Sequence, residues 1–454
     1  MKPAKLFTHQ QETVDFIKKK KRVFITSEPG TGKTRSCLET CSHHGTKVLV
    51  FCPKTIMDAS WGNDIRTFYP HKSYGIFNRK LQSGNPHHID ALFRNHAIVI
   101  MNHDAVKFLI GELEKNPNLI KGFNRIVIDE FTAFKNKNSQ RSKAMAKLVK
   151  HFDRRIMLSG TPTPNGILDI WHPAFLLDDG QRLGDNYYQF RYTVCQPVPK
   201  GKSLFMEWQP IPGASEGTAI RLRDVTIRHE LQECIDMPER IYRHIQLDMP
   251  RNLRKHYEDM RKHALMLFEE GTVTAVNAGV LSNKLLQIAG GSIYNNDYGQ
   301  YYLDDSKYDL IAELIKEREH SLVFYIWQHQ CDRMSDIFDA EGIKYATING
   351  KTNQQDRGRI VKDYQAGKYD TLLVQPAAAA HGLTLTKSTA SIWCSGTFNL
   401  EHFIQANYRD YRIGQKKRTE VIMVSYKDTV EQKLYDRLRE KRINQDTLLE
   451  ILKS

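Results

Sequence analysis

The feature that most constrains the fold is a set of short apolar runs, rich in β-branched residues, that recurs in two groups along the chain. The first group is Val23 to Thr26, Val48 to Cys52, Ala97 to Met101, Arg125 to Ile128 and Arg155 to Leu158; the second is Leu322 to Ile326, Tyr345 to Ile348, Thr371 to Val374, Ser391 to Cys394 and Val421 to Ser425. Continuous runs of this length suit parallel strands buried on both faces. Two α/β units, each built on a parallel sheet, are therefore expected, and 454 residues suffice for two or three domains. Between the groups lies a Pro- and Gly-containing segment from Gln196 to Gly217 and then helix-like sequence from Arg251 to Glu270. That stretch reads as an insert and connector at 178–300, separating units at 1–177 and 301–428. Past Thr429, apolar residues at Val430, Leu434 and Leu438, and again at Leu448 and Leu452, recur four apart, so 429–454 is expected to be a helical segment packed on the core.

Composition narrows the partners. Lys and Arg number 66 against 52 Asp and Glu, a formal +14 that favours a polyanionic partner, although a lysine-biased solvated surface gives the same balance. The densest positive block, Lys18 to Arg22, reads as a solvated helix end leading into the first strand. Seven cysteines include no CxxC pair, so neither a zinc site nor a disulfide framework is expected. No apolar run reaches membrane-span length, and the start MKPAKLFTHQ lacks the hydrophobic segment of a signal peptide. The expectation is a soluble intracellular protein with reduced thiols and no membrane partner. No short-period repeat or low-complexity tract points to a solenoid or a disordered tail.

In open α/β sheets, ligands gather at the carboxyl ends of strands, and Ser27, Asp129 and Ser159 each follow an expected strand. The octet Ser27-Glu28-Pro29-Gly30-Thr31-Gly32-Lys33-Thr34 should open a helix, which is the context of a phosphate loop. Backbone N–H groups around Gly30, Thr31 and Gly32 would receive phosphate oxygens. Lys33 would neutralise the β- and γ-phosphates, and the Thr34 hydroxyl would join a magnesium shell. Ser27 stands where such loops usually begin with glycine, a change its small side chain tolerates. Asp129 is expected to reach magnesium through water, and Glu130 to orient and activate the attacking water. Taken singly, carboxylates at a strand end read as helix caps; the phosphate loop upstream decides for catalysis. Ser159-Gly160-Thr161-Pro162 is explained equally well as a simple turn, but it presents the hydroxyls of Ser159 and Thr161 beside the carboxylates, where they could couple nucleotide state to movement. Late in the chain, QANYRDYRIGQ from Gln405 to Gln415 sets Arg409 and Arg412 three apart, on one face of a helix or turn. These parts describe a two-part ATP motor whose distant arginines close over the γ-phosphate.

In this order and at these separations, the phosphate loop, DExx box, SGTP turn and QxxxRxxRxGQ segment resemble the SWI/SNF-like family of ATP-dependent DNA translocases within the superfamily two helicases. The resemblance covers nearly the whole chain, and Arg412 to Gln415 is its most specific part. Leu6 to Gln10 resembles the family's adenine-reading entry motif, which implies that Gln10 bonds the base. Phe51-Cys52-Pro53-Lys54 with Trp61 resembles the next motif, and Thr161-Pro162 with Asn165 and Trp171 resembles GTPxxNxxxELW. In the second lobe Gly350 followed by Arg357 and Val361 resembles the family's glycine and its R-x-x-x-I-x-x-F segment, with Tyr364 standing for the aromatic, and Gly382 to Thr386 resembles the GINLT motif that touches DNA and nucleotide. The resemblance implies two RecA-like lobes in tandem, use of ATP and Mg2+, Lys33, Glu130, Arg409 and Arg412 as catalytic residues, and Gly382 and Gln405 beside the nucleotide. It also implies nucleic-acid contacts at Asn102, Gln328, Thr384 and Thr386, each equally open to a structural role. Duplex DNA is the favoured track, a DNA-bound protein a candidate cargo, and the setting a monomer in the cytoplasm of a bacterial or phage-infected cell, associated with the nucleoid.

The chain departs from the family at Thr132, where histidine is usual, and at Ala378-Ala379-Ala380, where glycines are usual. Its compactness resembles bacterial or bacteriophage members. Pro29 to Thr34 also resembles the loop of hexameric AAA-type ATPases, against which the late arginine segment argues. A nucleotide-regulated binding clamp is disfavoured because Glu130, Arg409 and Arg412 are all present. A strand-separating helicase on single-stranded DNA or RNA stays open.

Overall fold

A computed structural model describes residues 5–41, 45–79, 86–199, 206–269, 275–295, 299–379 and 383–438. The described residues divide into two compact units, one up to Asp236 and one from Met237 to residue 438. The division falls inside the stretch read as insert and connector, so its first part folds with the phosphate loop and its second with the arginine segment.

In the first unit β1 (Arg22–Ile25), β2 (Lys47–Cys52), β3 (Tyr74–Ile76), β4 (Ile98–Asn102), β5 (Phe123–Asp129) and β6 (Arg154–Leu158) precede an antiparallel hairpin of β7 (Cys195–Pro199) and β8 (Met206–Pro210) and a short β9 (Thr226–Ile227). The main sheet has the order β3-β4-β2-β5-β6-β1-β9, with parallel pairings throughout. Side chains alternate between faces. Val48, Val50 and Cys52 pack with Val127 and Leu158 on one side, while Leu49 and Phe51 pack with Ile126 and Ile128 on the other. Both faces are covered, which is why the sequence shows unbroken apolar runs.

The second unit contains β10 (Arg240–Leu247), the hairpin β11 (Ser292–Asn295) and β12 (Gly299–Tyr302), then β13 (Ser321–Phe324), β14 (Tyr345–Ile348), β15 (Thr371–Val374), β16 (Ala390–Trp393) and β17 (Thr419–Tyr426). Its parallel sheet has the order β10-β17-β16-β13-β15-β14. Sequence reading did not mark β10, because Arg240, Arg243, His244 and Gln246 interrupt its apolar residues; it lies at the sheet edge and stays half-exposed. The helix expected from Arg251 is observed at Arg251–Glu269. Residues 430–438 are helical, with Leu434 and Leu438 buried. There Glu431 accepts Lys307 Nζ at 2.7 Å in a fully buried ion pair. Leu448 and Leu452 lie outside the described residues. Among those described, no helix is long and apolar enough to cross a membrane.

His329 is buried on the helix Gln328–Ala340, stacked on Trp327, and desolvation pushes its pKa down to about 4. An unfolded histidine titrates near 6.5, so the unfolded chain takes up this proton first as pH falls. The stability His329 contributes is complete above pH ~6.5 and is lost as pH falls towards 4, by about 3 kcal/mol in all. In urea titrations across this window, His329→Gln should show a correspondingly shallower pH slope; an unchanged slope would contradict the assignment.

Candidate nucleotide site

After β1 the chain turns through residues 26–32 before the helix Lys33–Thr40 begins. Gly32 caps that helix in the left-handed region, φ +82, and a β-carbon there would run into the Gln10 amide. Glycine meets both conditions at once. The loop is braced from one side by His9 Nε2 and Gln10 Nε2, which lie 2.9 and 3.3 Å from the Thr31 carbonyl. Gln10 Oε1 accepts from Phe7 N at 3.2 Å, so the amide expected to meet a base is engaged at both ends in shaping the loop. Lys33 Nζ donates to the Ser27 and Glu28 carbonyls at 2.8 and 3.1 Å, fixing the ammonium against the loop it follows. Thr34 is the next helical residue.

A second brace was not legible in the sequence. Residues 226–231 run alongside the loop. Ser27 Oγ accepts from His229 N at 3.1 Å, Glu28 N donates to His229 O at 3.0 Å, and the Glu28 carboxylate accepts from Leu231 N at 3.0 Å. Arg228 adds a bond to the Thr26 carbonyl at 2.9 Å. These contacts account for Ser27, since a glycine there would offer His229 no hydroxyl. Nothing in the dipeptide of β9 signals a strand, and its register exists only against β1.

Asp129 ends β5 and is buried. Trp61, carried on a π-helical turn at Met57–Gly62, donates its indole N–H to Asp129 Oδ2 at 2.9 Å; such wide turns frequently mark functional sites. Burial pushes the Asp129 pKa up, while the Trp61 bond and the Lys33 charge pull it back. Its neighbour Glu130 sits at φ 51, ψ 57, a left-handed conformation uncommon for a residue with a side chain. Strain of this kind costs on the order of 1 kcal/mol or more and clusters at functional sites. Ser159 Oγ donates to Glu130 Oε2 at 3.2 Å and accepts from Thr161 N at 3.1 Å. A β-carbon at Gly160 would fall 2.9 Å from Pro29 Cδ, so this turn lies directly on the phosphate loop. Of the two expected coupling hydroxyls, Ser159 touches the carboxylate; Thr161 engages through its backbone, and its hydroxyl is buried without a hydrogen bond. The link from the acidic pair to the SGTP turn thus runs through Ser159. His103, held neutral by burial with a pKa of about 4, sets Nε2 2.8 Å from the Asp129 carbonyl. Asn102 precedes it, half-buried at the end of β4.

Gly30, Thr31 and Gly32 supply amides, Lys33 an ammonium, Thr34 a hydroxyl and Asp129 a carboxylate. This set fits a triphosphate with a divalent cation, because positive charge beside the buried Asp129 would offset the desolvation that raises its pKa.

In the second unit the helix Leu400–Asn407 leads into the arginine segment. Arg409, buried, donates to the Leu383 carbonyl at 3.2 Å, and Leu385 N returns a bond to Arg409 O at 2.8 Å. Half-buried Arg412 donates Nε to Tyr408 O at 2.7 Å, and burial pushes its pKa to about 10, which leaves it cationic at neutral pH. The intervening polar residues serve folding. Asn407 accepts from the Trp393 indole at 2.9 Å, Asp410 from Ser391 at 2.8 Å and from Arg240 at 3.3 Å, and Gln415 Nε2 reaches the carbonyls of Thr386, Ser388 and Asp410. Gln405 is buried and donates to Glu401 at 3.2 Å. Thr384 is exposed, Thr386 accepts from Gln365 at 3.3 Å, and exposed Gln328 donates to Asp332 at 2.7 Å. Gly382 and Ala380 lie outside the described residues; Ala378 and Ala379 belong to a short helix, Pro376–Ala379.

Comparison with known proteins matches residues 9–288 to the SNF2-related domain and residues 306–414 to the helicase conserved C-terminal domain. Protein p41 of Acyrthosiphon pisum secondary endosymbiont phage 1 is 27% identical, with 95% of each chain covered. The Caenorhabditis elegans homologue of SWI/SNF-related matrix-associated actin-dependent regulator of chromatin subfamily A-like protein 1 is 22% identical over 96% of this chain and 61% of its own. An uncharacterised ATP-dependent helicase of Mycoplasma pneumoniae is 23% identical over 95% of this chain and 41% of its own. The chain therefore spans almost all of the phage relative but under two thirds of the other two. Among solved structures, the SWI2/SNF2 ATPase core of Sulfolobus solfataricus in complex with dsDNA aligns over 98% of this chain and 92% of that one, at 20% identity and a TM-score of 0.44.

The Ser159–Glu130 bond predicts a separation of chemistry from binding. Ser159→Ala should lower kcat for ATP hydrolysis about ten- to a hundredfold by releasing the Glu130 carboxylate, with KM for ATP little changed. A variant with normal kcat would remove Ser159 from the positioning of Glu130.

Proposed function

This chain belongs to the SNF2-related family, and we propose that it is a motor coupling ATP hydrolysis to movement along duplex DNA. The observation that carries the reading is the meeting of Lys33, Asp129, Glu130 and Ser159 at the carboxyl edge of one parallel sheet, with Glu130 bonded to the turn that rests on the phosphate loop. In this reading the loop amides and Lys33 bind the phosphates, and Thr34 and Asp129 hold Mg2+, which screens phosphate charge when bound. Glu130, aimed by its left-handed backbone and by Ser159, takes a proton from the attacking water. Arg409 and Arg412 supply positive charge to the γ-phosphate during turnover. Thr384, Thr386, Gln328 and Asn102 are the proposed contacts to the nucleic-acid backbone, so binding should tolerate sequence and weaken with salt. A DNA-bound protein is the proposed cargo.

The decisive assay is ATP hydrolysis without nucleic acid and with duplex DNA, single-stranded DNA or RNA, using Glu130→Gln as the blank. Strong stimulation by duplex supports translocation on double-stranded DNA; stimulation confined to single strands or RNA transfers the assignment to a strand-separating helicase, and activity indifferent to every polymer overturns the motor reading.

An arginine finger contributes about a thousandfold or more to rate. Arg412→Ala should therefore keep ATP affinity while losing nearly all turnover. Turnover at the unmodified level would remove Arg412 from the catalytic set.

A further inference from the structure

The first unit carries a cation and aromatic cluster that the nucleotide site does not use. The helix Tyr187–Val194 presents Tyr188, Arg191 and Tyr192 on one face, at the three- and four-residue spacing that makes helical neighbours. The Arg191 guanidinium lies 3.8 Å from the ring centre of Trp208 on β8, and Tyr192 meets Trp208 edge-on at 4.8 Å. Lys137 reaches over Tyr188 at 4.3 Å and Tyr187 at 4.9 Å. Nearby cations find carboxylates: Lys135 pairs with Asp169, and Arg182 with Asp178 and Asp224. Among the described residues Lys137 and Arg191 form no ion pair, and Arg191 Nε is buried without a hydrogen bond. Strand alternation turns Glu207 to the opposite face of the hairpin from Trp208.

Tyr187 and Trp208 pack partly buried against the core of the unit, but the other two rings do not. Tyr188 is 53% exposed and Tyr192 is 64% exposed. Exposed tyrosines beside positive charge that, among the described residues, pairs with no carboxylate complement a polyanion with flat faces of its own, which is a nucleic-acid strand with unpaired bases. Duplex DNA offers the phosphates but keeps its bases stacked inside, so the exposed tyrosines would gain little from it. The cluster is also joined to the ATP site. Lys137 follows Glu130 through the short turn Phe131–Phe134, and Trp171, which opens the helix after the SGTP turn, packs edge-on against Tyr187 at 5.4 Å.

We propose that this face, built from Lys137, Tyr188, Arg191, Tyr192 and Trp208, stacks the unpaired bases of a single-stranded DNA segment, so that the preferred track is a duplex carrying a single-stranded arm or gap. The proposal rests on the DNA-motor reading and specifies its substrate.

Its test compares labelled blunt duplex, the same duplex with a single-stranded DNA arm, and that duplex with an abasic arm, by fluorescence anisotropy on the full chain and on the double variant Tyr188→Ala, Tyr192→Ala. The base-bearing arm should tighten binding to the unmodified protein about tenfold or more, the range of stacking on one or two aromatic residues. The abasic arm, with its phosphates intact, should lose that gain. The double variant should bind all three as the unmodified protein binds blunt duplex. An abasic arm that binds as well as the normal one, or a double variant that keeps the preference, overturns the platform, as does an RNA arm that binds more tightly than the DNA arm. Duplex binding and duplex-stimulated ATPase without any arm preference would refute the platform alone and leave the face to a protein partner. Failure to bind or respond to any nucleic acid would refute the motor reading itself.

Discussion

The first unit is organised around a buried carboxylate. Asp129 at the end of β5 gives up hydration, and such a loss is sustained only where neighbouring groups favour the charged form. The Trp61 indole, the Lys33 ammonium and the Glu130 amide provide that, each from a different element. Their convergence explains several local oddities. The π-helical turn aims Trp61, the left-handed Glu130 turns one carboxylate away from the next, and Ser159 receives it. Each is costly or unusual alone, and each is held by the sheet whose carboxyl edge they share.

The same sheet explains why the phosphate loop is braced from both sides. On one flank the helix Thr8–Lys19 sends His9 and Gln10 to a single carbonyl; on the other, β9 adds a parallel partner to β1 and brings the backbone of 229–231 against Ser27 and Glu28. A glycine-rich loop loses much conformational freedom on ordering, and these bonds offset part of that loss. The second unit follows a different economy. Its arginine segment buries most of its polar side chains in bonds to β16, β10 and the Leu383–Ser388 stretch, so that Arg409 and Arg412 are set by a framework of asparagine, aspartate and glutamine. The dense polar motif is thereby a folding device in its own right.

Legibility in the sequence followed burial. Strands covered on both faces, such as Val48 to Cys52 and Thr371 to Val374, announce themselves because nearly every position is apolar. The edge strand β10 does not, since half of its side chains meet solvent, and neither does β9, whose two residues carry no period. The phosphate loop, the acidic pair and the arginine segment were equally plain, because each is defined by particular residues at close spacing. The division at Asp236 was not, since helix-like and turn-like stretches look alike whichever core they join.

The residues themselves thus determined two parallel α/β sheets and the polar motifs at their strand ends, because apolar period and motif spacing are local properties of a chain. They were silent on which distant groups would meet. That Ser159 reaches Glu130, that Gln10 braces the loop, that Ser27 meets His229, and that Arg191 stacks on Trp208 all depend on contacts between segments far apart in sequence. Such contacts arise only when the sheet and its covering helices bring those segments together.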